Sequence, residues 1–315
     1  MPIRIAVTGK NGQVVCALSE AAESENVVVI PVGRPELDLG IPETVEPALR
    51  AVAPDVVVSA AAYTTVDQAE REPEIANRLN AVGAGAVAAA AQTLFVPVIH
   101  LSTDYVFDGD KRSAYVEEDP PSPGTVYGAT KLAGELAVRH NNDQHVILRT
   151  AWVYAPYGKN FVRTMIGLAQ SRNEVRVVGD QNGCPTYAPD IANAVIAIAR
   201  NLLKFPSEPL LRGVFHFAGR GETTWADFAA AIFAHLSARG LKRPALTYIT
   251  SADYPTPARR PFNSRLNCTK LARLHGVESP LWQHSLAICM EHLLARKNHA
   301  EAEATRPAAA RNRPA

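Results

Sequence analysis

The feature that most restricts this chain is an alternation in its first half. Short, mostly apolar runs at 3–7, 27–32, 55–59 and 96–101 are separated by stretches with helical spacing at 42–52 and 73–94. A run such as Val56-Val57-Val58 has no polar side, so it reads as a strand buried on both faces. Strands of that kind alternating with helices build a parallel sheet covered on both sides, a doubly wound α/β architecture. In such a sheet a ligand lies across the carboxyl ends of the strands. Here those ends are Gly9–Gly12, Gly33-Arg34, Ala60–Tyr63 and Ser102–Tyr105, so the residues with chemical potential fall on one edge.

The first of these ends reads Thr8-Gly9-Lys10-Asn11-Gly12-Gln13-Val14-Val15: strand, glycine turn, helix start. Gly9 and Gly12 let the backbone approach a pyrophosphate, which the following helix N-terminus favours, with Gln13 and Val14 opening that helix. A third glycine would fall at position 15, where this chain has Val15, so the helix is expected to sit slightly farther from the strand. The competing reading is a plain strand-to-helix turn. Arg34 follows the second strand, where an adenosine ribose would be recognised. An arginine there pairs with a 2′-phosphate or is simply a solvated loop residue, and the sequence alone leaves both open. Small Ala60, Ala61 and Ala62 leave room for a flat cofactor, although small residues at strand ends are also common in cores.

The fourth end carries the chemistry. Ser102 and Thr103 follow the strand, a proline-rich loop comes next, and Tyr127 and Lys131 then sit one turn apart on the same side of a helix. A free tyrosine titrates near pH ~10 and is a poor proton donor at neutrality. A nearby ammonium lowers that value, and the tuned phenol can pass a proton to or from a substrate oxygen that Thr103 holds. A tyrosine four residues before a lysine is common in ordinary helices, so the pair gains weight only from its place on the sheet edge.

The totals narrow the field. The chain has 315 residues, is 47% hydrophobic and 20% charged, and carries a formal charge of +1. That balance gives no electrostatic reason to expect nucleic acid or a membrane surface. No run reaches the roughly 18 apolar residues of a membrane span, and the N-terminus lacks the pattern of a signal peptide. Cys16, Cys184, Cys268 and Cys289 form no Cys-x-x-Cys pair, so no disulfide framework or zinc site is expected, and the compartment is expected to be the cytoplasm.

The second half is less regular. A strand is expected at 147–151, a helix at 160–171, a strand at 175–178, a helix at 190–203 returning to cover the sheet, and a strand at 213–218. Thr224 or Trp225 starts another helix, residues 239–267 lack periodicity, and 282–294 forms a closing helix. The organisation expected is a dinucleotide-binding domain at 1–155, rejoined by about 188–218, and a smaller α/β substrate domain at 156–187 and 219–297. The tail at 298–315 has no apolar stripe and is expected to be flexible. Arg259 and Arg260 lie among prolines in an otherwise neutral protein; a diphosphate is preferred over a loop salt bridge as their partner.

Several motifs together resemble a known family. Thr8-Gly9-x-x-Gly12, Ala60-Ala61-Ala62-Tyr63-Thr64-x-Val66-Asp67, Ser102-Thr103-Asp104-Tyr105-Val106-Phe107 and Tyr127-Gly128-x-x-Lys131 resemble the extended short-chain dehydrogenase/reductases, a Rossmann-type group. Arg149–Tyr154, Asn160-Phe161, Asp180–Thr186 and the segment from Tyr254 to Ser264 narrow the likeness to the dTDP-4-dehydrorhamnose reductase family. The likeness extends to about residue 296.

The resemblance implies hydride transfer from a nicotinamide to the C4 ketone of dTDP-4-dehydro-L-rhamnose, giving dTDP-L-rhamnose. It implies that Tyr127 protonates the oxygen, Lys131 tunes Tyr127 and holds the nicotinamide ribose, and Thr103 positions the ketone. It also implies cofactor contacts from Asp38, Leu39 and Tyr63, and a substrate site formed by Val66, Thr103, Asp104, Tyr105, Trp152, Asn160, Arg259, Arg260 and Asn263. NADPH is the expected cofactor, with NADH possible; a nucleotide sugar is the expected partner, and the chain a monomer or homodimer. Relatives that eliminate water carry Asp-Glu after the threonine, whereas Asp104 is followed here by Tyr105, which favours simple reduction. The stretches through which some members share a metal across a dimer are Val15-Cys16-Ala17 and Met290-Glu291-His292 here, so no metal is expected. The alternatives are a non-catalytic regulatory subunit of the same fold, and an epimerase or dehydratase.

Overall fold

The computed structural model describes residues 1–304, and side chains through residue 295. Strands β1 (Ile3–Thr8), β2 (Val27–Val32), β3 (Val56–Ser59), β4 (Val98–Thr103), β5 (His145–Thr150) and β6 (Gly213–His216) form one sheet. Their spatial order is β6-β5-β4-β3-β1-β2, and every pairing is parallel. The order reverses between β1 and β3, so the crevice for a ligand opens where Gly9 and Ala60 leave the sheet.

Strand residues alternate between faces, and here both faces are covered. Ile5, Val7, Val56 and Val58 join a core beneath the helices Gln13–Ala22 and Ala188–Lys204. Ala6, Val57 and Val98 point the other way, into a core with the helices Val45–Val52 and Ala84–Thr93. Val15 is almost fully buried in the first core, its Cγ2 atom 3.6 and 3.7 Å from where a Cβ on Gly9 or Gly12 would stand. Its isopropyl group thus occupies the space beneath the turn.

The helix Val126–Asn141 crosses the carboxyl end of β4. Thr125 caps it by accepting from the Gly128 amide at 3.0 Å. Two glycines bring it close: a Cβ on Gly128 would stand 2.1 Å from the Tyr105 carbonyl oxygen, and one on Gly134 the same distance from the Asn80 carbonyl oxygen. Asn80 belongs to a π-helical segment, Arg78–Gly83, inside what the sequence presents as one continuous helix. Its buried amide bonds the Tyr63 backbone and Thr130, joining the Ala60–Tyr63 segment to the Val126–Asn141 helix.

The remaining residues form a smaller layer. The helices Phe161–Ser171, Trp225–Ser237 and Trp282–Ala304 pack around their own apolar cluster, beside a parallel pair formed by Glu174–Val178 and Ala245–Ile249. The second of those strands lies inside 239–267, where no periodicity was legible; only Ile249 is buried there, so no alternation marks it. The last helix runs past 294, and the 298–304 part of the expected flexible tail is helical. Alanine and glutamate are strong helix formers, and extending an existing helix needs no new nucleus. Residues 305–315 lie outside the described residues. No described helix is long and apolar enough to cross a membrane.

The glycine contacts generate a stability test. Gly134→Ala forces a methyl group onto the Asn80 carbonyl and should cost about 3 kcal/mol in urea unfolding. Gly167→Ala, on an exposed helix position with nothing within 4 Å of the added carbon, should stabilise by about 0.5–1 kcal/mol.

Candidate active site

Two adjoining cavities follow the carboxyl edge of the sheet. One, of about 450 Å³, is lined by Gly9, Gly12, Gly33, Arg34, Asp38, Leu39, Ala61 and Ala62. The other, of about 540 Å³, shares Gly9, Gly12, Ala61 and Ala62 and continues past Gln13, Val14, Ala60, Val66, Thr103, Asp104, Tyr105, Tyr127 and Lys131 to Trp152. Together they bring to one edge most of the residues singled out from the sequence.

The first cavity suits a dinucleotide phosphate. Gly9 has a φ of +99°, a conformation that L side chains rarely adopt. A Cβ on Gly33 would stand 3.3 Å from the Gly9 Cα, so both turns must be bare for a bulky anion to approach the helix N-terminus at Gly12. Thr8 keeps the opposite wall in place, accepting from the Ala60 and Ala61 amides at 3.0 Å. Lys10 is engaged by Glu36 at 2.8 Å.

In the second cavity Thr103 is the last residue of β4, and its hydroxyl donates to Asp104 Oδ1 at 2.9 Å while accepting from the Tyr105 amide at 3.2 Å. The Tyr127 phenol interacts with Thr103, and its ring meets that of Tyr105 edge-on at 5.5 Å. Burial raises the Tyr127 phenol above its ordinary value; Thr103 opposes this, and the Asp104 and Tyr105 charges add to it. Lys131, expected to acidify the phenol, makes its hydrogen bonds to β4. The Lys131 ammonium donates to the Leu101 carbonyl at 2.7 Å and meets His100 Nε2 at 3.2 Å. Burial brings Lys131 down to about 8 and takes Asp104 up to about 6. Asp104 Oδ2 is buried without a hydrogen-bond partner.

Five expected contact residues line neither cavity. The Tyr63 hydroxyl donates to Glu72 at 2.6 Å. Asn160 caps the Phe161–Ser171 helix, and its amide donates to Gln13, Ala155 and Tyr157, which uses its polar atoms in holding the chain. Asn263 likewise donates to the carbonyls of Lys111 and Ser113 and accepts from Arg265. Arg259 pairs with Asp110 at 2.9 Å and Arg260 with Asp67 at 2.6 Å. Each guanidinium therefore makes the loop salt bridge and not an open phosphate fork, because a carboxylate lies within reach of it.

The structure also adds residues that the sequence did not mark. Lys159 and Thr150 line the second cavity, and the Thr150 hydroxyl is buried without a partner. Trp152 has a φ of +49° and stacks on Trp225, with ring centroids 3.5 Å apart and planes 9° from parallel. A Cβ on Gly183 would stand 2.3 Å from the Trp152 ring, so only glycine fits there. The sequence signals for this clamp were the glycine and Trp225 at a helix start, neither specific by itself.

Comparison with known proteins agrees with this geometry. The family profile described as RmlD substrate binding domain matches residues 3–295. A dTDP-4-dehydrorhamnose reductase of Sinorhizobium fredii is 51% identical over 286 residues, covering 90% of this chain and 95% of the relative. The protein of that name from Burkholderia thailandensis is 42% identical, covering 93% of this chain and 100% of the relative. A crystal structure of dTDP-4-dehydrorhamnose reductase from Bacillus anthracis in complex with NADP superposes with a TM-score of 0.84 at 34% identity, covering 92% of this chain and 99% of that one. With its sheet order, its glycine cradle and its Thr103–Tyr127 contact beside Lys131, the chain belongs to the dTDP-4-dehydrorhamnose reductase family.

Proposed function

We propose that this chain is an NADPH-dependent reductase that converts dTDP-4-dehydro-L-rhamnose to dTDP-L-rhamnose, with Tyr127 as proton donor. The observation that carries the reading is that Thr103, Tyr127 and Lys131 line one cavity, which continues into the glycine cradle. The reduced nicotinamide supplies the hydride. Thr103 orients the C4 oxygen, and Tyr127 gives it a proton as negative charge develops there. Reduction needs the phenol protonated at the start, which a tyrosine is at neutral pH. Lys131 supplies positive charge beside the phenol and one remaining N–H to the cavity. The buried Asp104 side chain and Trp152 would bound the sugar, and Arg34, which lines the first cavity, would hold the 2′-phosphate of the cofactor.

Tyr127→Phe should lower kcat by about 10³-fold, followed as NADPH oxidation with the keto-sugar nucleotide, while NADPH binding by titration changes little. Undiminished turnover in this variant would refute the assignment.

The shifts of Asp104 and Lys131 predict a bell-shaped pH profile of kcat/KM. Activity falls below pH about 6, as Asp104 gains a proton, and above pH about 8, as Lys131 loses one. Asp104→Asn should flatten the acid limb and leave the alkaline limb in place.

Gly183→Ala displaces the Trp152 indole and should raise KM for the nucleotide sugar about tenfold with an unchanged Kd for NADPH. A parallel loss of cofactor affinity would show that the wall formed by Trp152 is not confined to the sugar side.

A further inference from the structure

Lys131 sits behind Tyr127 with 3% of its surface exposed, and no carboxylate is bonded to its ammonium. Its acceptors are the Leu101 carbonyl oxygen at 2.7 Å and His100 Nε2 at 3.2 Å. The His100 ring is 1% exposed and meets Ser59 Oγ through Nδ1 at 3.0 Å. Ser59 is the residue paired with His100 in the parallel register of β3 and β4.

An imidazole nitrogen accepts from an ammonium only if it carries no proton. The arrangement therefore specifies one tautomer: the proton is on Nδ1 and is donated to Ser59, leaving Nε2 as the acceptor. Burial and the Lys131 charge both oppose a second proton on this ring, so the neutral form is the consistent one. An ammonium has three donors, and two are fixed by groups on β4. The third is thereby aimed, rather than left to rotate, and Lys131 lines the active-site cavity.

We propose that His100 is a positioning residue for the reduction: as a neutral acceptor locked by Ser59, it orients the Lys131 ammonium and helps keep it charged. The proposal rests on Lys131 supporting Tyr127, as read above. The charged and titratable groups around this centre are Tyr127 one turn before Lys131, Glu135 one turn after it, Arg149 on β5 and Asp104 beyond β4. Glu135 favours the charged lysine through space, yet its oxygens are bonded to Arg149 and Ser102. His100 is thus the side chain that meets the ammonium directly.

The test uses two amides of different reach in the full chain. His100→Gln can place its oxygen near the Nε2 position and still accept from Lys131. His100→Asn is one methylene shorter and reaches only the position of Nδ1, so it keeps a partner for Ser59 and withdraws the acceptor. In His100→Asn, kcat at pH 7 should fall about tenfold and the alkaline limb of kcat/KM should move about one unit lower, because an ammonium without its acceptor loses its proton more readily. His100→Gln should retain most of the activity and keep the limb in place.

A limb unmoved in His100→Asn, or both variants equally impaired, would reduce His100 to packing and overturn the proposal. Lys131→Met separates this failure from failure of the wider reading. If Lys131→Met retains full turnover, the role given to Lys131 falls and His100 with it. If it is inactive while His100→Asn behaves as wild type, only the inference about His100 falls.

Discussion

The active site depends on one buried ion pair. Arg149 on β5 donates from Nε and Nη2 to the two carboxylate oxygens of Glu135 at 2.9 and 2.7 Å, and both side chains are 3% exposed. Ser102 on β4 donates to the same carboxylate at 2.5 Å. Two strands and the helix that carries Tyr127 and Lys131 are thus fastened at one point. Removing one partner of such a pair leaves an uncompensated interior charge and costs about 3–5 kcal/mol. The arrangement tolerates little error in register, since Ser102 must pair with Arg149 across the sheet for both to reach one carboxylate. Phe107 lies 5.0 Å from the guanidinium and closes it from water. The glycine contacts at Gly128 and Gly134 set how close the helix comes; the ion pair sets where along its length it is held.

The use of Glu135 by Arg149 has a consequence one turn earlier. Lys131 is left to a carbonyl and a neutral ring, partners that hold an ammonium without cancelling its charge. Burial then acts on the whole centre in one sense, towards neutral forms: Tyr127 is raised, Asp104 is raised to about 6 and Lys131 is lowered to about 8. For a reduction this bias is useful. The phenol waits with its proton, and the demand for positive charge arises only as the substrate oxygen becomes negative. The simple expectation of a phenolate prepared by its lysine suits the opposite direction better, in which a base must take a proton from an alcohol.

The fold was legible because its signal is physical and local. The uninterrupted run Val56-Val57-Val58 suits a strand covered on both sides, where it is fully buried, and the edge where such runs end was readable with it. The cavities join Gly9, Gly12 and Thr103, as their places at strand ends predict, with Tyr127 and Lys131 from the helix that follows the fourth end. Motif membership was less discriminating. Asn160 and Asn263 belong to recurrent segments, yet their amides hold turns together, and sequence cannot distinguish a residue that touches a ligand from one that shapes the loop. The opposite omission was avoidable in principle. His100, Ser102 and Arg149 are polar residues within otherwise apolar strands, where burial demands a partner for each. The pattern announces that partners exist; only the tertiary structure supplies Lys131, Ser59 and Glu135.

The smaller layer reaches the cavity chiefly by packing. Trp152 stands just beyond β5 with a left-handed backbone, a conformation that costs a tryptophan energy unless its surroundings enforce it. Trp225 provides that enforcement by stacking from the start of the Trp225–Ser237 helix, and Gly183 leaves room for the ring. Trp225 in turn packs against Phe161, and both lie near Phe228, which meets Trp282 at the start of the last helix. A column of aromatic rings therefore connects the wall of the cavity to the core of the outer layer. Close-packed interiors transmit small displacements instead of absorbing them. The outer layer thus acts on the cavity wall through packing as well as through Lys159: its aromatic packing fixes the attitude of one indole, while the sheet edge positions Thr103 and the neighbouring helix Tyr127.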